Sequence, residues 1–345
     1  PGPTPGPPVS GPLEAAMKEL QAFVERERGL AFKRPVKVSL LADAAFDARI
    51  VSTDEEARKE VADAQAVLQA MGLLPAGVDL WKAVVKFVEG AALGFYDAST
   101  DELVVRGAEP TPFVRTTLVH ELTHALEDQH FDLDRADLGD EAAVGFESLV
   151  EGSALHVERR YLTSLSASER RKVEEEEEGR GPGPPADVPA VVEEAFGFPY
   201  TYGPALVRSL LLVGGRARLD AAYADPPLSS EQVLDPGRYL RGDRPRPVPV
   251  PRADAPPFDD GEIGRLFLEL MLDARLGRAQ ASEAAVGWGG DRYAAWKDGR
   301  RTCVRMDFVM DTPADADQLA RALSSWAATR RGSASSSGTS LTTCG

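Results

Sequence analysis

The spacing of hydrophobic residues predicts an α+β fold, rich in helix and with small sheets. Three observations carry this. Apolar stripes at helix spacing recur along most of the 345 residues. Short alternating or β-branched runs lie between them, bounded by Pro, Gly and Asp. The composition, 43% hydrophobic and 27% charged, is that of a globular chain with enough apolar material for a sizeable core.

Residues 1–11 are Pro- and Gly-rich and read as a stiff, extended linker. Over residues 12–29, Leu13, Met17, Leu20 and Phe23 repeat at helix spacing. Pro35 stops that pattern, and Val36 to Leu41 alternates as a strand. Residues 54–72 return to helix through Ala57, Val61, Ala64 and Leu68. Residues 83–107 read as antiparallel strands. Val84 to Val88 is β-branched, and a polar turn from Asp97 to Asp101 separates two apolar arms. Pro112 suits the first turn of a helix that continues to about Asp128. A second helix follows from about Asp140 to Leu165.

Glu174 to Glu178 and the Pro/Gly cluster after them predict a solvated, mobile loop over about 166–189. Residues 190–214 become helical after the Phe196 to Gly203 punctuation. Residues 224–258 are irregular, and the Arg241-Gly242-Asp243 tripeptide there is weak ground for adhesion. Residues 261–278 are helical. The end reads strand (292–296), strand (302–310), helix (314–328). The expected organisation is a linker (1–11), a core (12–215), a C-terminal α+β subdomain completing a cleft (216–330) and a Ser/Thr-rich tail (331–345).

Charge and rare residues narrow the function. There are 39 Lys and Arg against 55 Asp and Glu, a net charge of −16. Such a chain repels a phosphate backbone, so nucleic acid is not an expected partner. No apolar run is long enough for a transmembrane helix. Cys303 and Cys344, with no other thiol present, predict one bridge and an oxidising compartment. The Pro/Gly linker is of the kind that follows a removed export or lipoprotein signal. A secreted or surface-tethered protein is therefore expected, with a lipid or signal-derived tether upstream.

Histidine is scarce, four in all, yet His120, His124 and His130 fall within eleven residues. His120-Glu121-Leu122-Thr123-His124 is an HExxH sequence inside a helical pattern. Residues four apart share a helix face, so the two imidazoles can point at one metal ion. Glu121 lies about 100° further round. From there its carboxylate can take a proton from water held by the metal.

A catalytic site needs a third ligand and an open position. His130 stands ten residues after His120, but Glu127 occupies the place where a metzincin-like turn needs Gly. Glu151, in Ser148-Leu149-Val150-Glu151-Gly152, could reach the site from a neighbouring antiparallel helix, with Gly152 permitting close approach. Glu147, one turn earlier, could hold a ligand His. His156 reads as a packed or surface residue.

These residues resemble the gluzincins, zinc peptidases with HExxH and a later Glu. Val150-Glu151-Gly152-Ser153-Ala154 approximates the third-ligand sequence of their aminopeptidase members. Pro199-Tyr200-Thr201-Tyr202-Gly203 is similar to the sequence around their oxyanion-stabilising tyrosine, favouring Tyr200 with Tyr202 in reserve. The run from His120 to Leu133, Ser230 to Leu234 and Gly287 to Tyr293 also resemble a group of exported bacterial proteins.

The resemblance implies a zincin-like fold around an active-site helix. It implies Zn²⁺ on His120, His124 and Glu151, with Glu121 as general base and Tyr200 at the oxyanion. A peptide or protein is the implied substrate, and endopeptidase action the leaning, since no amine-gripping Gly-x-Met-Glu-Asn-like segment is present. The strand Glu102 to Arg106 would pair with extended substrate. A metzincin-like peptidase using His130 and a non-catalytic zincin-fold binding protein of the cell envelope are the alternatives. Gly287 to Tyr293 reads as a strand start anchored by Trp288.

Overall fold

A computed structural model describes residues 11–50, 55–98, 100–135, 137–180, 187–330 and 332–345. All of the expected linker except Gly11 lies outside the described residues, as do residues 181–186 of the expected loop. The fold is mixed α+β, dominated by helix, with two small sheets. No helix among the described residues is long and apolar enough to cross a membrane.

The first half contains α1 (Pro12–Arg28), β1 (Lys37–Leu41), α2 (Asp43–Ile50), α3 (Glu55–Met71), α4 (Leu80–Ala91), β2 (Gly94–Asp97) and β3 (Glu102–Arg106). The strand expected at Val84 to Val88 is part of α4. The side chain of Asp79 accepts the Lys82 N–H and caps that helix. Leu80, Ala83, Val84 and Phe87 then form one face at helix spacing, packed with Val191 and Val192. A buried helical face outweighs the β-branched preference of three valines.

Strand order in the first sheet is β1-β3-β2. β1 runs parallel to β3, and β2 antiparallel to it. β3 is therefore central, and Leu103, Val104 and Val105 are fully buried. The expectation that Glu102 to Arg106 forms the open edge is corrected: that edge, on the side of the cleft described below, is β2.

The helical layer consists of α5 (Pro112–Phe131), α6 (Asp140–Ser164), α7 (Ala167–Gly179) and α8 (Ala190–Ala224). α7 replaces most of the expected loop. Ser166 and Glu169 make reciprocal capping hydrogen bonds, and Val173 is buried, so the helix has a start and an anchor despite its acidic end. α8 runs through the Phe196 to Gly203 punctuation, with Pro199 and Pro204 inside it, and kinks at Gly214 and Gly215. Packing on α6 holds it: a Cβ on Gly152 would lie 2.4 Å from the Gly203 carbonyl carbon, so the two backbones touch there. Gly152 thus admits α8, where the sequence suggested closer approach to the histidine helix.

The C-terminal part comprises α9 (Ser230–Leu234), α10 (Pro236–Arg241), β4 (Pro257–Gly261), α11 (Gly264–Leu276), α12 (Arg278–Ala285), β5 (Trp288–Asp298), β6 (Arg301–Met310), α13 (Pro313–Thr329), β7 (Ala334–Ser337) and β8 (Ser340–Cys344). Its sheet is antiparallel in the order β4-β5-β6-β8-β7. The residues expected as a tail include two strands of this sheet. Cys303 and Cys344 pair directly across β6 and β8 and are disulfide-bonded. Val67, Ala70 and Met71 of α3 share a core with this sheet, and the Thr343 hydroxyl donates to the Ala70 carbonyl at 3.0 Å.

Trp288 is buried at the start of β5, and its Nε1 donates to Asp291 at 2.8 Å. Asp291 also accepts the N–H groups of Ile263 and Gly264. Nearby, the Glu141 carboxylate accepts both the N–H and the hydroxyl of Ser230 at 2.8 Å. Burial pushes the Glu141 carboxyl up to about 8, with Asp291 adding to the rise and Ser230 opposing it.

A raised carboxyl pKa means that the folded state binds the proton more tightly than the unfolded chain does. The stabilising contribution is complete below the unfolded value, about 4.5, and is lost as pH rises towards 8. Glu141→Gln removes this titration. Its stability relative to the parent should rise between pH 5 and pH 8, by up to about 4 kcal/mol. Paired urea unfolding curves at the two pH values measure it, and parallel pH profiles would refute it.

Candidate metal centre

Thr111 starts α5 by accepting the Val114 N–H at 3.3 Å, with Pro112 in the first turn. The helix is covered on all sides, and residues 116–129 are all buried. It carries His120, Glu121 and His124 into the middle of the helical layer. α6 packs beside it and brings Glu151 opposite them.

His120 Nε2 lies 3.1 Å from Glu151 Oε2, and His124 Nε2 lies 3.6 Å from the same oxygen. One ligand atom from each of the three residues falls within 4.8 Å of the others. Donors bonded at about 2.1 Å to a tetrahedral ion sit about 3.4 Å apart. The spacing and the donor set, two imidazoles and a carboxylate, fit a divalent metal ion. Burial opposes charge on His120, but its hydrogen bonds to Glu151 and Glu158 outweigh that and hold the imidazole well above its usual range. Burial would raise Glu151, yet His124 and His120 hold its carboxyl far below the usual range. Glu151 is thus kept ionised, as a ligand must be.

His120 Nδ1 meets Glu158 Oε2 at 2.9 Å. Glu158, and not Glu147 as the sequence suggested, holds the His120 ring. It follows Glu151 by seven residues, two helical turns on one face of α6, and that spacing was the available signal. Orienting carboxylates of this kind affect metal affinity about 10–100-fold. Glu158→Ala should weaken metal binding by about tenfold or more, and Glu158→Gln, which keeps an acceptor, by less. Competition with a chromogenic chelator reads both, and equal affinities in all three proteins would contradict the assignment.

The other sequence candidates separate clearly. His130 is ten residues, about 15 Å of helix, beyond His120. Its Nε2 donates to the Ala31 carbonyl at 2.8 Å, so it is not part of the cluster. His156 lines a separate cavity. Tyr200 faces His120, with near-parallel rings 6.5 Å apart, whereas Tyr202 packs on Phe198. Tyr200 is 49% exposed. Desolvation of its hydroxyl and the charges of Glu151 and Glu121 push its pKa up, so the phenol keeps its proton.

Glu121 is buried between the ligands and β2, and burial raises its carboxyl above the ordinary value. The strand approaches closely because residue 94 is Gly: a Cβ there would sit 3.0 Å from Glu121 Cγ. Two cavities meet at His120, Glu121, Tyr200, Gly94 and Phe95. One, of about 690 Å³, is walled by apolar residues such as Phe87, Leu93, Phe113, Leu155 and Phe196. The other, of about 510 Å³, includes Asp97, Asp134 and Glu151. The result is a two-armed cleft with the candidate ligands at its junction and β2 along its rim.

Comparison with known proteins adds little to this geometry. Residues 256–343 match a family model described as a domain of unknown function, DUF8575. That match spans β4 to β8 and does not include the HExxH helix. No curated protein matches the chain. Among solved structures, a protein from Chloroflexus aurantiacus described as "a putative hydrolase with a novel fold" is similar at 17% identity and a TM-score of 0.40. The match covers 69% of this chain and 93% of that one.

Proposed function

We propose that the protein is a zinc-dependent peptidase, acting as an endopeptidase on peptide or protein substrates outside the cytoplasm. One observation carries the reading. A His-His-Glu donor set lies beside a buried carboxylate, Glu121, at the junction of a two-armed cleft rimmed by an open strand edge. His120, His124 and Glu151 would hold the ion. When bound, zinc would supply Lewis-acid polarisation and lower the pKa of water. Zinc is preferred because two imidazoles and one carboxylate with an open position suit its tetrahedral geometry.

The chain's own groups supply the rest. Glu121, made more basic by burial, takes a proton from the attacking water and delivers it to the departing amine. Tyr200, held protonated, donates a hydrogen bond to the oxygen that gains charge as the carbonyl is attacked. β2 pairs with an extended substrate by strand addition. The apolar arm takes a bulky apolar side chain next to the cleaved bond. The free edge of β2 would accommodate an extended chain, which supports endopeptidase action, and the disulfide is consistent with an extracytoplasmic setting.

The test is hydrolysis of a casein-like substrate by zinc-loaded protein, before and after chelation and re-addition of zinc. Activity that disappears and returns supports the proposal, and activity indifferent to chelation ends it. Zinc content of Glu151→Ala against His130→Ala checks the ligand set. Only the former should lose the metal.

A further inference from the structure

We infer that a small tetrahedral oxyanion, of the phosphate or sulfate class, binds in a basic cavity between α1, α6 and α8. The cavity encloses about 280 Å³ and is lined by Arg28, His156, Arg160 and Arg216, with Glu27 as the acid among them. Such a concentration of cations runs against a chain whose net charge is −16. His156 is five residues beyond Glu151 on α6, about 140° round the helix, so the cavity opens on a different face from the metal centre.

The charges around the cavity do not cancel. Glu27 is held by Arg160 at 3.2 Å and by Arg26 at 3.6 Å. Arg28 is 2% exposed, with Nε on Glu127 and Nη2 on Asp220. Its Nη1 is buried and has no hydrogen-bond partner. Arg216 gives Nη2 to the Arg26 carbonyl at 2.9 Å. Four arginines (26, 28, 160 and 216) thus stand near three acids, Glu27, Glu127 and Asp220. His156 reports the excess: burial and the charges of Arg160, Arg28 and Arg159 lower its pKa, against Glu27.

The chemistry selects the ligand. Guanidinium groups present paired N–H donors that match two oxygens of an oxyanion. A neutral imidazole adds one more donor. The volume lies below the range of about 300–1,000 Å³ usual for larger organic ligands, so the occupant is small. The site also has a route to the metal centre. Glu127, which Arg28 engages, follows His124 by three residues on α5. The same carboxylate receives the hydroxyl of Ser153, two residues after Glu151 on α6. Anion binding relieves the repulsion among the facing cations, and by linkage it stabilises the fold.

The experiment uses the full chain and titrates sodium phosphate, then sodium sulfate, against sodium chloride at matched ionic strength. Thermal unfolding and the imidazole resonances of the four histidines are followed. Phosphate and sulfate should each raise the melting temperature saturably, shift the His156 resonance and raise its pKa. Arg160→Ala combined with Arg216→Ala should weaken both responses at least tenfold. Glu151→Ala, which disables the metal site, should leave them intact, so this inference and the peptidase reading can fail separately. A chloride response equal to that of phosphate, an unmoved His156, or an unchanged response in the double variant would each overturn it.

Discussion

Glu121→Gln should lower the rate of peptide hydrolysis by about 10³-fold or more while the protein still binds one zinc ion. A positioned general base contributes typically about 10²–10⁴-fold. Glutamine has the size of glutamate, so the close contact beneath Gly94 survives and the helix repacks little. The amide cannot accept the proton, and chemistry stops while His120, His124 and Glu151 remain in place. Initial rates together with metal analysis separate the two effects. A variant that keeps its zinc and its full rate would remove Glu121 from the mechanism.

Gly152→Ala should be strongly destabilising. Its Cβ would stand 2.4 Å from the carbonyl carbon and oxygen of Gly203, and a Cβ on Gly203 would stand 2.2 Å from the Ser148 oxygen. Backbone, and not a flexible side-chain end, must yield in both cases. A cost of about 3 kcal/mol is expected, at the upper end for overpacking. Gly197→Ala is the control. Its Cβ meets nothing within 4 Å, and an alanine in a helix should stabilise by up to about 1 kcal/mol.

The crossing also sets the geometry of the candidate site. Glu151 adjoins Gly152, and Tyr200 lies three residues before Gly203. Parting α6 from α8 draws the phenol away from the ligands. Activity in Gly152→Ala should therefore fall further than zinc affinity. Chemical denaturation, zinc affinity and hydrolysis rate measured on the same sample decide this. Equal stability in parent and variant would mean that the helices are not in contact at this point.

Local pattern read well wherever a helix carried its own boundaries. α5 and α6 were legible because Pro112, their apolar spacing and the HExxH sequence all act within a few turns. The same locality misled at Val84 to Val88, where β-branched residues lie on a helix capped by Asp79 and buried against α8. It misled again at Glu174 to Glu178, where Ser166, Glu169 and Val173 outweigh a run of like charges. The segment after Arg331 reads as a tail from composition alone. There β8 depends on pairing with β6, thirty or more residues earlier, and β7 in turn on β8.

By itself, then, the sequence determined the α+β class and the helix that carries His120, Glu121 and His124, and it offered Glu151 and His130 as candidates for the third ligand. The periodicity of a helix is local, so spacing alone puts two imidazoles on one face and a carboxylate beside them. Tertiary structure alone decided that Glu158 holds His120, that β2 and not β3 lines the cleft, and that His130 points away to Ala31. Strand order, helix crossing and burial are set by contacts between residues far apart in the chain, and no window of sequence contains both partners.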